Sequence, residues 1–325
     1  MRRLYKFVER LLPFVDVLVF PFVYPAALLL KAIRRGGVQR MPLSKRALLS
    51  VGVFPIRNHY YEPQFDGFES GAEVRELPGI DWNAGRQLQF LDSFDYADEI
   101  RAVFARWNRK PAFDLDNDAF APGDAEIWYS VVRSRKPRAI IEIGSGHSTL
   151  LAVRAVEMNR AEDPGYSCRH VCIEPYEAPW LESTGVTVMR EKVERVPPDA
   201  FRALGANDLL FIDSSHVIRP RGDVVTEYLQ ILPSLNAGVL VHIHDIFSPR
   251  GYPDAWTKDK VLFWNEQYLL EAFLTHNRDW EIVAALNYLH HAYYDRLKAR
   301  CPFLKPEHEP GSFYLTKAAA PNPRP

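Results

Sequence analysis

The run Ile140-Ile141-Glu142-Ile143-Gly144-Ser145-Gly146-His147-Ser148-Thr149 turns an apolar, strand-like stretch through two glycines into a helix-forming sequence. Glycine allows close backbone approach to a ligand and conformations a side chain would forbid, so this turn is a candidate cradle. Its form is shared with the glycine-rich dinucleotide loop, which makes a nicotinamide-dependent oxidoreductase one alternative. Two features argue otherwise. Thr149 stands where that fingerprint has its third glycine, and Glu142 would set negative charge against a pyrophosphate. An acid at that point suits a ligand carrying an ammonium or sulfonium group. Further on, Val171-Cys172-Ile173 ends in Glu174, placed to accept hydrogen bonds from both hydroxyls of a ribose.

Two more acid-tipped apolar stretches follow. Leu209–Ile212 ends in Asp213, then Ser214, Ser215 and His216; Val239–Ile243 ends in His244-Asp245. In open parallel sheets ligands collect at the carboxyl ends of strands, so these tips should converge on one cleft. Histidine titrates near neutrality and is the natural proton acceptor there. His244 oriented by Asp245, or His216, is the expected general base. His242, in mid-strand, is read as a structural residue.

Positioning these groups requires alternating strands and helices, the signature of a parallel sheet covered on both faces. The pattern predicts strands at Ala139–Ile143, His170–Ile173, Thr187–Met189, Leu209–Ile212, Val239–Ile243, Trp280–Ala284 and Ser312–Thr316. It predicts helices at Ala97–Trp107, Asp124–Arg133, Ser148–Met158, Val224–Leu235 and Val261–Leu274. Four parts result: a basic, apolar segment 1–46, an irregular aromatic region 47–120, an α/β domain 121–317 and an Ala/Pro-rich tail 318–325. Trp264, Tyr268 and Phe273 recur at helical spacing and read as core. In the irregular region His59, Tyr60, Tyr61, Glu62 and Trp82 are candidates to close over the cleft and meet an acceptor. Arg219, Arg221 and Arg250 flank its expected mouth and read as solvated charges.

The stretches Glu142–Thr149, Cys172–Pro175, Leu209–His216, Val241–Phe247 and Phe263–Leu270, in this order, resemble the class I S-adenosylmethionine-dependent methyltransferases. They resemble most a bacterial subgroup acting in polysaccharide and small-molecule biosynthesis; Gly52–Phe65 looks like the arm preceding the domain there. The resemblance implies a Rossmann-like, seven-stranded, mostly parallel sheet with one antiparallel strand and helices on both faces. It implies that Glu142, Gly144, Ser145 and Gly146, with Ser148, hold the methionine end of S-adenosyl-L-methionine. Glu174 would bind its ribose and Asp213 would face the acceptor. Some enzymes of this kind hold magnesium at the same two strand ends, which makes Asp213 and Asp245 candidate ligands for a divalent cation such as Mg. The stretch 287–311 is longer than the tight hairpin usual between the last two strands.

Composition bounds the rest. The chain has 325 residues with 40 Lys+Arg, 41 Asp+Glu and 3 Cys, a balance that excludes a disordered or disulfide-stapled chain and gives no basis for nucleic-acid binding. Cys168, Cys172 and Cys301 read as reduced thiols. Residues 1–46 carry ten Lys/Arg against Glu9 and Asp16, a charge of +8 that leaves −9 elsewhere. Between Arg10 and Lys31, 16 of 20 residues are apolar. That length matches a bilayer core, but Pro13, Pro21, Pro25 and Asp16 favour a kinked segment lying in one leaflet with its basic ends on anionic headgroups. The expected protein O-methylates a glycan, lipid-linked sugar or secondary metabolite, on the cytoplasmic face of the membrane, held there by residues 1–40. A non-catalytic nucleoside-binding module is the other alternative.

Overall fold

A computed structural model describes residues 2–59, 61–63, 71–105, 107, 111–115, 117 and 119–318, with side chains in the first helix from Leu11 onward. Tyr60, Phe65 and the tail 319–325 lie outside the described residues. The chain forms two units, Met1–Glu69 and Ser70–Pro325.

In the first unit, α1 (Arg2–Gly36) is followed by α2 (Pro42–Ser50). Pro13, Pro21 and Pro25 all lie inside this one helical run. Its apolar side chains face outward: Phe14, Val17, Leu18 and Phe22 are each more than 70% exposed. Glu62, expected at an acceptor site, instead accepts from Arg34 Nε (3.1 Å), Arg57 Nε (3.0 Å) and the Arg57 backbone N–H (2.8 Å). The Arg57 amide and the two guanidinium groups overcome its partial burial and hold its pKa down at about 2. It is a clip joining the 57–62 turn to the end of α1.

The second unit is built on one seven-stranded sheet. Its strands are β1 (Ala139–Ile143), β2 (Arg169–Ile173), β3 (Thr187–Met189), β4 (Leu209–Ile212), β5 (Leu240–Ile243), β6 (Trp280–Ala285) and β7 (Phe313–Lys317). The order is β3-β2-β1-β4-β5-β7-β6, and β7 alone runs antiparallel, inserted between β5 and β6. A dinucleotide-binding sheet of the common order 3-2-1-4-5-6 has no such insertion. Strand alternation sends Ile140, Leu209, Phe211, Leu240 and Tyr314 to one face and Ile141, Ile143, Leu210, Ile212 and Val241 to the other. Both sets are buried beneath helices, which is why these strands read as mainly apolar runs.

Residues 71–120 supply core as well as loops. α3 (Ala84–Asp92) and α4 (Ala97–Ala105) bury Phe90, Leu91, Ile100 and Val103 in the cluster that holds Trp128 of α5 (Asp124–Arg135). Trp82, a candidate acceptor contact, packs on Tyr288 with ring centroids 5.2 Å apart. α6 (His147–Glu162) leads away from the glycine turn. The helix expected from Val261 begins only at Glu266 and ends at Leu274, because Trp264 is drawn over the His216 ring at 4.3 Å and Val261 takes φ +53°. The long β6–β7 connection folds as two short helices, Leu286–Ala292 and Tyr294–Lys298.

Candidate active site

A cavity of about 720 Å³ opens at the carboxyl ends of β1, β2 and β4, lined by Gly144, Ser145, Gly146, His147, Ser148, Glu174 and Asp213 among others. The two glycines do different work. Gly144 takes φ +75°, and a Cβ there would lie 1.8 Å from the Asp213 carbonyl oxygen. The tips of β1 and β4 meet at this point, with Asp213 N–H donating to Ile143 O at 2.8 Å. Gly146, at φ −176°, precedes α6, and a Cβ there would meet nothing within 4 Å. It leaves room at a helix N-terminus, where free backbone N–H groups favour acceptor groups. Two buried polar atoms of this loop, Ser145 Oγ and His147 Nδ1, have no hydrogen-bond partner among the described residues. Buried polar atoms are rarely left unmatched, so a ligand is the natural partner.

Glu142 does not share this cavity, which corrects the cradling role assigned to it. It is fully buried beneath the loop, where its carboxylate accepts from Ser148 Oγ (2.8 Å) and Thr149 Oγ1 (2.9 Å) and pairs with His170 Nε2 at 2.5 Å. It fixes the first turn of α6 from below. Glu174 does line the cavity. Its Oε1 accepts from the backbone N–H of Tyr176 and Glu177, both at 2.9 Å. Among the described residues its Oε2 has only the Ser145 N–H, at 3.4 Å, and is the oxygen with capacity to spare.

The tips of β4 and β5 bring Asp213, His216 and Asp245 together, as the sequence pattern required. His216 Nε2 lies 3.2 Å from Asp213 Oδ1 and 3.6 Å from Asp245 Oδ2. His216 and Asp245 both take left-handed backbone, φ +58° and +59°. Such strain persists where surrounding structure over-determines it, commonly at functional sites. Behind them Glu266 accepts from His216 Nδ1 at 2.9 Å and from the Tyr228 hydroxyl at 3.0 Å. Burial opposes charge on His216, but hydrogen bonds with Asp213 and Glu266 outweigh it, and its pKa stands well above the ordinary value. Burial pushes Asp245 up to about 6 against the attraction of His244 and His216.

These contacts revise the general-base assignment. Both His216 nitrogens are committed to carboxylates. His244 is buried, 3% exposed, with Nε2 on Ala119 O at 3.1 Å, Nδ1 without a partner among the described residues and its ring 4.9 Å from that of Phe120. Asp245 Oδ1 is 3.5 Å from His244 Nε2, so it holds that ring only loosely. The groups with reach are the carboxylates: the Asp213 side chain is 33% exposed and that of Asp245 16%. His242 sits among Phe211, Trp128 and Tyr314, and burial lowers its pKa well below the usual value, as befits a structural residue.

Three acids went unremarked in the sequence. Glu266 anchors His216, Glu227 accepts from Ser214 Oγ at 3.1 Å, and Asp124 accepts from Gly311 N–H (3.1 Å) and Ser312 N–H (2.7 Å). Glu266 and Asp124 each stand at the start of a helix, where an acid is ordinary, so nothing set them apart. Of the arginines, Arg219 lines the cavity and pairs with Asp223 at 2.9 Å, while Arg250 donates to Ala72 O. Arg221 is exposed and left-handed.

Asp213, His216 and Asp245 each offer a ligand atom within 4.8 Å of the others. Carboxylates suit a hard divalent cation, and a ligating imidazole characteristically gives its other N–H to a carboxylate, as His216 gives Nδ1–H to Glu266. The residues therefore fit such an ion.

Fold and site together define a Rossmann-like α/β protein with a cavity of about 720 Å³ at the carboxyl ends of its strands and an antiparallel strand beside β5. Residues 141–246, the segment holding the glycine turn and the acid-tipped strands, match the family model described as a methyltransferase domain. No curated protein matches the chain. Among solved structures, the O-methyltransferase TomG from Streptomyces achromogenes, in complex with SAM, is 16% identical with a TM-score of 0.36, over 73% of this chain and 97% of its own. An O-methyltransferase from Bacillus cereus in complex with SAH is 14% identical with a TM-score of 0.36, over 73% and 98%. CalS11, a TDP-rhamnose 3'-O-methyltransferase, is 12% identical with a TM-score of 0.39, over 74% and 99%.

Proposed function

We propose that this enzyme moves the methyl group of S-adenosylmethionine to a hydroxyl oxygen of a small molecule or glycan. One observation carries the reading. The cavity joins a glycine turn with two buried polar atoms unpartnered among the described residues, an acid with a spare oxygen at the β2 tip and the Asp213 carboxylate at the β4 tip, with Asp245 of the β5 tip reached from Asp213 across the His216 ring. The spare Glu174 Oε2 suits the ribose, and Ser145 Oγ and His147 Nδ1 suit the amino-acid end of the donor. The carboxylates place negative charge where a sulfonium binds.

In the transfer, an acceptor oxygen lone pair forms the new O–CH₃ bond as the S–CH₃ bond breaks and its electron pair stays on sulfur. The hydroxyl proton must leave, since an alcohol is far too weak an acid to ionise unaided. Asp245, held near 6 by burial, is the acceptor for that proton, and Asp213 orients the hydroxyl. A divalent cation held by Asp213, His216 and Asp245 would acidify a bound hydroxyl.

Calorimetry with S-adenosylmethionine, S-adenosylhomocysteine and NAD tests the reading. Binding of the first two, weakened tenfold or more by Glu174→Ala through loss of about 1.5–3 kcal/mol of hydrogen bonding to a charged group, is expected. Binding of NAD alone would refute it. The acceptor is to be sought by mass spectrometry of envelope sugars and metabolites, with and without the protein, as a difference of one methyl group.

We also infer that α1 holds the enzyme on the cytoplasmic face of the membrane. The supporting facts are the stretch Leu11–Gly36, with mean hydropathy 1.9 and apolar side chains turned outward, and Arg34 and Arg35 in its last turn. A lipid-linked sugar would then be an accessible acceptor.

A further inference from the structure

The opposite edge of the sheet carries a second pair of cavities. One, of about 800 Å³, is lined by Arg86, Arg135, Phe90 and Leu240; the other, of about 660 Å³, by Arg135, Arg138, Arg169 and Asn207. Arg138, Arg169 and Asn207 stand at the amino ends of β1, β2 and β4, whereas the methyltransferase cavity opens at the carboxyl ends. A strand of five residues separates the two edges by roughly 17 Å.

The charges here do not cancel. Arg86 is paired with Glu281, and Asp208 spends its carboxylate on the N–H groups of Ala139 and Gly205, both at 2.8 Å. Arg135, common to both cavities, donates to Asn207 Oδ1 at 3.1 Å and lies 6.0 Å over the Phe90 ring; it has no carboxylate partner among the described residues. Arg138 and Arg169 have no carboxylate partner there either, whereas Lys136 at the same rim is paired with Glu162 at 3.2 Å. Burial, and then the charge of Arg86, lower the Arg135 pKa, the signature of a cation wanting a counter-charge. This basic hollow belongs to a chain whose residues beyond 46 carry a net charge of −9.

Planar guanidinium groups converging on a concave surface recognise phosphate oxygens. The apolar floor at Phe90 and Leu240, both buried, offers a seat for the body of the same ligand. We propose that this edge binds a diphosphate-bearing small molecule, its diphosphate on Arg135, Arg138 and Arg169 and its apolar part against Phe90.

Calorimetry of the full chain with inorganic pyrophosphate and with ADP tests this, each with and without saturating S-adenosylhomocysteine. Binding of both probes at one site, unaffected by S-adenosylhomocysteine, is expected. R135Q and R138Q should each weaken it about tenfold or more, while Lys45→Gln should leave it unchanged. R138Q changes an exposed, unpaired side chain, so its loss of binding is not a loss of fold. The proposal is overturned if pyrophosphate does not bind or if S-adenosylhomocysteine displaces it. It is equally overturned if K45Q weakens binding as much as R138Q, or if the protein takes anionic vesicles but not pyrophosphate.

Discussion

Exchanging each of the two turn glycines for alanine separates strand geometry from ligand space. At Gly144 the new methyl would fall 1.8 Å from the Asp213 carbonyl oxygen, so the tips of β1 and β4 must part by well over an ångström. Left-handed backbone at a residue with a Cβ costs about 1–2 kcal/mol. Forcing atoms into a packed site costs about 1–3 kcal/mol more. Gly144→Ala is therefore expected to lose roughly 2–5 kcal/mol of stability, a large share of the roughly 5–15 kcal/mol typical of a domain. It should also displace Asp213 and abolish donor binding. At Gly146 the backbone is extended and the added methyl meets no protein atom. Gly146→Ala should unfold in urea within about 0.5 kcal/mol of the parent, as substitutions away from packing features do. If the donor packs on this loop, the same variant binds it at least tenfold more weakly. The assay is urea unfolding beside calorimetry with S-adenosylmethionine. A stable G144A with intact affinity would refute the close-approach argument; a G146A that binds as the parent does would place the donor elsewhere.

Removing residues 1–40 should move the protein from the membrane pellet to the supernatant and leave S-adenosylmethionine affinity unchanged; full-length protein that never sediments with liposomes would end the tether idea. Glu266→Gln should lower the affinity for Mg or Mn about 10–100-fold, as loss of a ligand's supporting carboxylate does, with donor affinity preserved in parallel calorimetry. Buried Glu126, which accepts from Gly123 N–H (2.8 Å) and Phe303 N–H (2.7 Å), has its pKa pushed by burial from 4.5 to about 7. Its stabilising contribution is complete below 4.5. As pH rises to about 7, the unfolded chain releases the proton first and the contribution falls by about 3 kcal/mol. Urea unfolding at pH 5 and pH 7.5 should show most of that loss in the parent and a smaller one in Glu126→Gln.

The strands were legible in the sequence: β1, β3 and β4 fall on the expected residues because each is a short, mainly apolar run, with Glu142 the one charged residue inside β1. Misreadings arose where distant packing overrode local pattern. The periodicity of Val261–Leu274 promised a full helix, yet Asn265 Oδ1 accepts from Ile218 N–H at 2.6 Å and the N–H groups of Asn265 and Glu266 turn to His216 O. Those contacts hold the first residues out of the helix. Likewise, Trp82 and Glu62 looked like recognition groups because exposed and buried roles of such residues share one sequence signature. The difference lies in Tyr288 and in Arg34, which no local window contains.

The same blindness to distant partners explains a shift in the electrostatic argument. Glu142 was read as the charge that repels a pyrophosphate and attracts a sulfonium, but two hydroxyls and His170 enclose it beneath the loop. Its influence on a ligand is that of a brace. The field inside the cavity comes from Glu174 and Asp213, with Asp245 beside them, and three carboxylates surround the single imidazole of His216. Even with His244, 3.5 Å from Asp245, charged as well, two imidazoliums do not neutralise three carboxylates, so the tips of β4 and β5 stay net negative. That surplus favours a cation, whether a sulfonium or a divalent ion, and opposes a dinucleotide phosphate. The preference for a positively charged ligand thus survives with its cause relocated, from a residue adjacent to the glycine turn to residues some seventy and a hundred positions further along the chain.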